Sequence, residues 1–133
     1  MNITTRNQLD AASFETFVTA GKATFTVVGR AARYTFKVCK SNDGQVQFVK
    51  VLSGFESDYN FIGTIARGKF FPKGWREGAT APASAVAFAW VWNHRANPAP
   101  AQVWHEGRCG RCGCKLTVPA SIEGFCPECI NHV

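Results

Sequence analysis

The chain has 133 residues, of which 46% are hydrophobic and 13% aromatic, so it is large and apolar enough for one compact core with a small additional segment. It has no run of about 18 apolar residues, which excludes a membrane-spanning helix, and its first residues lack the apolar stretch of a secretory signal, so we expect a cytoplasmic protein. The formal net charge of +6 favours an anionic partner and argues against a protein that mimics nucleic acid.

The first predicted element is an amphipathic helix over residues 5–20. Thr5 and Gln8 have the spacing of a capping box, in which two side chains bond to the first turn of a helix. The apolar residues that follow recur at helical spacing and define one face. Gly21 is in position to end the helix, because glycine accepts the left-handed conformation that follows a last turn. We expect this helix to cover one edge of a sheet.

From residue 22 onwards the apolar residues recur at every second position, which is the period of a β-strand. The alternation is clearest over residues 32–40, where apolar side chains face one way and Arg33, Thr35, Lys37 and Cys39 face the other. A Ser-Asn-Asp-Gly turn signal follows. Further along, Phe61 and Ile65, together with Tyr59, are predicted to share a face. Four such strands with short links predict an antiparallel meander, with strands over residues 22–30, 32–40, 45–52 and 59–66.

Residues 67–78 combine basic and aromatic side chains with glycine. Cations that meet phosphates and rings that stack on bases are what a surface for single-stranded nucleic acid needs. The alternative is a loop whose rings pack into the core while its basic side chains stay in solvent. The candidate contact residues in this segment are Arg67, Lys69, Lys73, Trp75 and Arg76.

Residues 82–95 are predicted to form a second helix that begins with Pro82 and is apolar on nearly every side. A Pro- and Ala-rich linker follows over residues 96–103. The predicted fold class is therefore α+β, with an N-terminal helix, a four-stranded antiparallel meander and an apolar second helix in a body over residues 1–95. A small zinc-ribbon or zinc-knuckle domain completes the chain over residues 104–133.

Five of the six cysteines lie close together near the end of the chain, in two Cys-x-x-Cys pairs 13 residues apart plus one further cysteine. Clustered pairs of this kind indicate metal ligands, because a disulfide framework would be spread along the chain. Each pair can curl into a turn that points two sulfurs at one centre, and Gly110 and Gly113 stand where such turns call for positive φ. We predict a structural Zn²⁺ held by Cys109, Cys112, Cys126 and Cys129, with His105 and Cys114 as alternative ligands.

Three basic residues flank these cysteines: Arg108, Arg111 and Lys115. Four thiolates and one Zn²⁺ together carry about −2, which lowers the net charge of the metal-loaded protein from +6 to about +4. The three cations either offset the charge of the thiolates or contact an anionic partner. They are therefore included among the candidate contact residues.

The end of the chain also carries a longer pattern: His-Glu-Gly-Arg-Cys-Gly-Arg-Cys-Gly at 105–113, then Leu116-Thr117, Pro119, Ser121-Ile122, Gly124, Pro127 and Cys129. This pattern resembles a small zinc-finger-like domain found mainly in uncharacterised bacteriophage and actinobacterial proteins. The body is loosely similar to phage proteins that carry this tail, at Phe36, Leu52-Ser53-Gly54, Asp58-Tyr59 and Gly63-Thr64-Ile65. The resemblance implies a phage or prophage origin and a location in the host cytoplasm, and it implies no activity.

The chain departs from that family pattern at two of its cysteines. The family has a basic residue where this chain has Cys114 and glycine where it has Cys126. Family members would hold a metal through the other three cysteines of the two pairs, with His105 as the fourth ligand. The sequence leaves both ligand schemes open, and the knuckle spacing of both pairs favours four cysteines.

No catalytic motif is evident, so we expect a protein that is not an enzyme. His105 and Glu106 invite comparison with the zinc deaminases, but the required H-x-E and P-C-x-x-C patterns are not met, since Pro127 lies inside the second cysteine pair. The sequence has no phosphate-binding loop, serine-nucleophile motif or paired carboxylates.

Two functional hypotheses follow. The favoured one is nucleic-acid binding, which rests on the positive charge, the basic and aromatic segment and the cations beside the cysteines. The alternative is a protein-interaction module that binds and inhibits a host enzyme or defence complex, with tryptophans as anchors. The expected partner is thus a nucleic acid or a host protein and not a membrane, and the oligomeric state stays open. The candidate anchors are Trp75, Trp90, Trp92 and Trp104.

Overall fold

The computed structural model describes residues 8–9, 11–29, 33–52, 58–74, 78, 81–98, 101–106, 108–113, 125 and 129. This part of the chain has an α+β fold, in which two helices pack on an antiparallel sheet of six strands that a two-residue strand extends at one edge. In chain order the elements are β1 (Gln8–Leu9), α1 (Ala11–Val18), β2 (Lys22–Val28), β3 (Arg33–Lys40), β4 (Val46–Leu52), β5 (Tyr59–Ala66), β6 (Lys69–Pro72), α2 (Ala83–Asn93) and β7 (Gln102–His105).

The strands lie in the order β1-β7-β2-β3-β4-β5-β6, and each neighbouring pair is antiparallel. The predicted meander is confirmed, because β2 to β5 pair in sequence order. The turn between β3 and β4 is also confirmed: Gly44 N–H donates to Ser41 O at 3.0 Å, and the Asp43 carboxylate accepts from the Ser41 hydroxyl and from Gln45 N–H. The hydrogen bond from Ser41 holds the pKa of Asp43 below its usual value.

The structure adds β6, which lies in a segment predicted to be a loop. Its hairpin turn consists of Arg67 and Gly68, whose φ angles are 54° and 76°. Two-residue turns of this kind need positive φ at both central residues, and Asn-Gly or Gly-Gly is the usual pair. Because arginine stands at the first of these positions, the turn carries only half of the usual hairpin signal.

A β-bulge in β5 changes which residues share a face. The register with β4 shifts between Val49 and Lys50, which leaves Ile62 as an additional residue in β5. The bulge interrupts the two-residue alternation, so Ile62 and Ile65 are both buried while Phe61 is 39% exposed. The prediction that Phe61 and Ile65 share a face is therefore wrong.

Both helices pack on one face of the sheet, which we call the inner face. Phe14 of α1 and Phe88 of α2 contact Phe25 and Phe36 of the sheet, with ring centroids 5.9 Å apart for Phe14–Phe25 and 5.2 Å apart for Phe36–Phe88. Ring pairs at such distances in edge-to-face arrangements stabilise a core by more than the burial of their apolar surface alone. The strands supply alternate apolar residues to this core: Ala23, Phe25, Val27, Phe36, Val38, Val49 and Val51.

The opposite face of the sheet, which we call the outer face, carries no helix in the described part of the chain, since α1 and α2 both lie on the inner side. Its central row runs across the strands from Thr24 to Lys37, Lys50 and Phe61, each paired with the next. A second row runs from Phe48 through β5 to β6. The predicted alternation of β3 is confirmed, because Phe36 and Val38 are buried while Lys37 lies on the other face.

The helices differ from the predicted ones mainly at their ends. α1 begins at Ala11 and not near residue 5, because Gln8 belongs to β1, where it pairs with Trp104. This rules out the capping box that Gln8 was expected to complete, and Thr5 lies outside the described residues. α2 follows the prediction closely, with Pro82 as the residue before its first turn. Neither described helix is long and apolar enough to cross a membrane.

β7 crosses the predicted boundary between the linker and the zinc-knuckle domain. It contains two residues of the predicted linker and two of the predicted zinc-knuckle domain, and it pairs with β2 through Val27–Val103 and Phe25–His105. The linker therefore ends inside a strand of the sheet. Whether residues 104–133 form a domain of their own stays a prediction.

Candidate metal centre

Three of the four predicted metal ligands come together at the edge of the body. The sulfur atoms of Cys109, Cys112 and Cys129 all lie within 4.8 Å of one another. Four sulfurs at the usual zinc distance form a tetrahedron with edges of about 3.8 Å, so this spacing fits three corners of such a site. Cys109 and Cys129 are buried and Cys112 is half-buried, as expected for ligands that enclose an ion.

The backbone around the first cysteine pair forms a tight turn that points its N–H groups at sulfur. Cys109 Sγ accepts from Arg111 N–H at 3.4 Å and from Cys112 N–H at 3.5 Å, and Gly113 N–H donates to Cys109 O at 2.9 Å. N–H groups that converge on one sulfur stabilise the thiolate that a metal needs. Gly113 has a φ of +79°, as expected for the residue that closes the turn.

Gly110 is needed for a different reason from the predicted one. It does not adopt a positive φ, and a Cβ atom built on it would lie 2.6 Å from the Phe17 ring. The turn thus lies directly on α1. Gly110 O also accepts from the N–H of Lys22, the first residue of β2, at 2.8 Å. Phe125 packs on the same ring, with centroids 5.8 Å apart. The cysteine segment is therefore continuous with the hydrophobic core of the body.

The fourth ligand is not settled by the described residues. His105 does not belong to the sulfur cluster. Its imidazole is buried on the inner face, 5.9 Å from the Phe17 ring, and burial lowers its pKa, while the nearby charge of Glu106 opposes that shift. Cys126 and Cys114 lie outside the described residues. The four-cysteine scheme and the histidine scheme both stay predictions.

Two of the predicted contact residues are directed at the cysteine segment itself. Arg111 Nη1 donates to Cys129 Sγ at 3.5 Å, and Arg108 Nη1 donates to Gly113 O at 3.2 Å. A guanidinium beside a thiolate offsets negative charge at the metal site. This geometry supports the interpretation of these arginines as local counter-charges. Lys115 lies outside the described residues.

The basic segment over residues 67–78 differs from the arginines of the cysteine segment, because three of its cations are exposed to solvent around β6. Arg67 lies in the hairpin turn, Lys69 in β6, and Lys73 directly after β6. Arg67 and Lys73 line one open groove on the outer face. Trp75 and Arg76 lie outside the described residues.

Sequence reasoning missed the residues of the outer face that β4 and β5 contribute. Lys50, Phe48 and Phe61 read as ordinary members of alternating strands, and Phe61 was expected beside a core residue. Phe48 is 38% exposed, and its ring centroid lies 6.3 Å from that of Phe61. The signal that could have identified them is the pairing register, which the sequence does not specify at a bulge.

No family model, curated protein or solved structure matches this chain. The resemblance to phage and actinobacterial proteins, carried by residues 105–113 and the pattern after them, therefore stays a prediction.

Proposed function

We propose that this protein binds nucleic acid through the outer face of its sheet, while a structural zinc ion holds the cysteine segment on the body. One observation carries the proposal: the five strands β2 to β6 contain no Asp or Glu, whereas they contain six basic residues. Nucleic-acid affinity comes largely from cations that neutralise phosphates, and an acidic residue among them would oppose it. Five of the six basic residues lie on the outer face, namely Lys22, Arg33, Lys37, Lys50 and Lys69, whereas Lys40 lies on the inner side at the end of β3.

Two lysines at the centre of the face support the proposal most directly. Lys37 and Lys50 stand directly opposite each other on β3 and β4. Like charges in such cross-strand positions repel, at a cost of about 0.2–1 kcal/mol. The Lys37 ammonium lies 5.6 Å from the centre of the Tyr59 ring, which offsets part of that cost. A phosphate bound between the two lysines would turn the repulsion into attraction.

The proposal is tested by the affinity of the purified protein for fluorescently labelled DNA and RNA, measured by anisotropy. We expect binding at about 50 mM salt that weakens steeply towards about 200 mM, because counterions are released on binding. Lys50→Gln should lower the slope of log affinity against log salt by about one unit.

Lys40→Gln is the matched control. It removes the same charge from the neighbouring strand, but Lys40 lies two residues after Val38 and therefore on the inner face. The proposal is wrong if no DNA or RNA binds at about 50 mM salt, or if the two substitutions have equal effects.

A second candidate function, binding of a host protein, is favoured by one feature of α2. Val86 and Trp90 are one helical turn apart and 57% and 41% exposed, and Trp90 stacks on His94 with centroids 4.1 Å apart. Exposed apolar residues of this size can anchor an interface. Capture of one host protein that survives nuclease and is lost in Trp90→Ala would support it. Equal capture by the wild type and the variant would contradict this second candidate function.

A further inference from the structure

We infer that the outer face selects single-stranded nucleic acid, and that the groove beside β6 holds its unpaired bases. This inference rests on the proposed function and makes it more specific. The groove has a volume of about 760 Å³ and is lined by residues of β4, β5 and β6 and of their turns. Ligand sites typically have volumes of about 300–1,000 Å³, so the groove has room for a nucleobase with its sugar.

The chemistry of the lining fits a nucleotide. Phe61 and Phe71 provide apolar ring surface, Arg67 and Lys73 provide positive charge, and Gln45 provides an amide that can read a base edge. Among the described residues that line this groove, none is acidic. Rings next to cations are the combination that single-strand-binding proteins use, since every base has a face that stacks and every nucleotide has a phosphate.

Backbone strain at Arg67 is an independent sign of function at the rim of the groove. Its φ of 54° is uncommon for a side chain of this size, and Asn or Gly would adopt that angle at lower cost. The turn is also held in place, because Trp92 Nε1 donates to Gly68 O at 3.1 Å. A strained residue that the surrounding structure holds fixed points to a functional need for that side chain. Here the need is a cation at the rim.

The shape of the outer face explains why we infer a single strand. A duplex hides the faces of its bases, so the exposed rings of Phe48 and Phe61 would have nothing to stack on. The major groove of DNA admits one helix or a two-stranded ribbon, and a sheet of six strands is too broad to enter it. A single strand can instead cross the strands from Lys50 to Phe61 and into the groove, over a distance of about 10 Å between β4 and β6.

The test compares labelled oligothymidine, oligouridine and a DNA duplex, each about 15 nucleotides long, in anisotropy titrations of the full-length protein. We expect at least one of the single strands to bind about tenfold more tightly than the duplex. In Phe61→Ala we expect a loss of about 5- to 150-fold in single-strand affinity, which is the range for one stacked base. Oligothymidine and oligouridine distinguish DNA from RNA as the ligand.

Val86→Ala is the matched control, because it also shortens an exposed apolar residue but lies on α2, away from the outer face. We expect no change in affinity for this variant. A circular dichroism spectrum and a melting curve show whether each variant is folded. If Phe61→Ala does not fold, Arg67→Asn gives the same test at the rim, with an expected loss in affinity and an intact fold.

Three results would count against the inference in different ways. Equal or tighter binding of the duplex would overturn single-strand selectivity and leave the proposed function standing. Single-strand binding that is unchanged in both Phe61→Ala and Arg67→Asn would place the bases elsewhere and overturn the assignment of the groove. Absence of binding to all three probes at about 50 mM salt would overturn the inference and the proposed function together.

Discussion

The two faces of the sheet are built from alternate residues of the same strands, yet they differ in almost every physical property. On the inner face Phe36 and Val38 are fully buried beneath the helices. On the outer face, the residue between them is Lys37, which stands opposite Lys50. The difference teaches that the side chains that stabilise the fold and the side chains that are available for binding belong to separate sets. Substitutions on one face should therefore change one property and leave the other nearly intact.

The largest expected effect is on the inner face. Phe36→Ala should lower the free energy of unfolding by about 3–5 kcal/mol, because it leaves a cavity beside Phe25 and Phe88. Urea denaturation monitored by tryptophan fluorescence measures this. Lys37→Ala, one residue further on, is the matched control on the outer face and should cost less than about 1 kcal/mol. Similar costs for the two variants would contradict the division between the faces.

The next largest effect concerns the candidate metal centre, whose cysteine segment extends the inner-face core through Phe17. Removal of metal by a chelator should lower the free energy of unfolding by about 3 kcal/mol, if free metal was previously about 100-fold above its dissociation constant. Cys109→Ser should have the same effect and abolish bound zinc, measured by elemental mass spectrometry. Cys39→Ser should retain the metal, because Cys39 lies outside the cluster. Full zinc content in Cys109→Ser would show that the cluster is not the site.

The same assay decides which residue completes the metal site. We expect His105→Phe to keep its zinc, because His105 lies outside the sulfur cluster and packs on Phe17. We expect Cys126→Ser to lose zinc, because a closed structural site has four ligands. The reverse pattern, with loss in His105→Phe and retention in Cys126→Ser, would replace the four-cysteine scheme with the histidine scheme.

The smallest expected change in stability is at the hairpin turn, where a substitution should stabilise the protein and not destabilise it. Arg67→Asn should raise the free energy of unfolding by about 1 kcal/mol, because asparagine accepts positive φ more easily than arginine. The same substitution should weaken nucleic-acid binding, because it removes a cation from the groove. Denaturation and anisotropy measured on one preparation check both. A variant that is more stable and binds as tightly as the wild type would show that the strain has no binding role.

Much of this fold could be predicted from local patterns, because the two-residue period of β2 to β5 and the apolar α2 are strong signals. The elements that escaped prediction depend either on pairing with a distant strand or on an unusual local backbone conformation. β7 follows a Pro- and Ala-rich stretch and becomes a strand only because β2 offers a free edge beside Val27. β6 depends on a turn with arginine at a strained position, and the bulge at Ile62 has no local sequence signal.

The candidate sites also differ in whether local sequence patterns could predict them. The cysteine cluster was predictable because knuckle spacing is a local property of the sequence, and Cys109, Cys112 and Cys129 do converge. The lysine pair of the outer face was not, since Lys37 and Lys50 meet only through the register of β3 with β4. Arg108 and Arg111 were predicted as contact residues from sequence proximity alone. Their hydrogen bonds instead lie within the cysteine segment.

The most direct test of the central claim is an NMR titration of ¹⁵N-labelled protein with an unlabelled single-stranded oligonucleotide of about 15 nucleotides. If the outer face is the binding surface, the amide signals of Lys37, Lys50 and Phe61 should shift progressively, as should that of Thr64, which lines the groove. Those of Val86 on α2 and of Arg108 beside the cysteines should stay in place. Shifts confined to α2 or to the cysteine segment, with the outer face unchanged, would contradict the account.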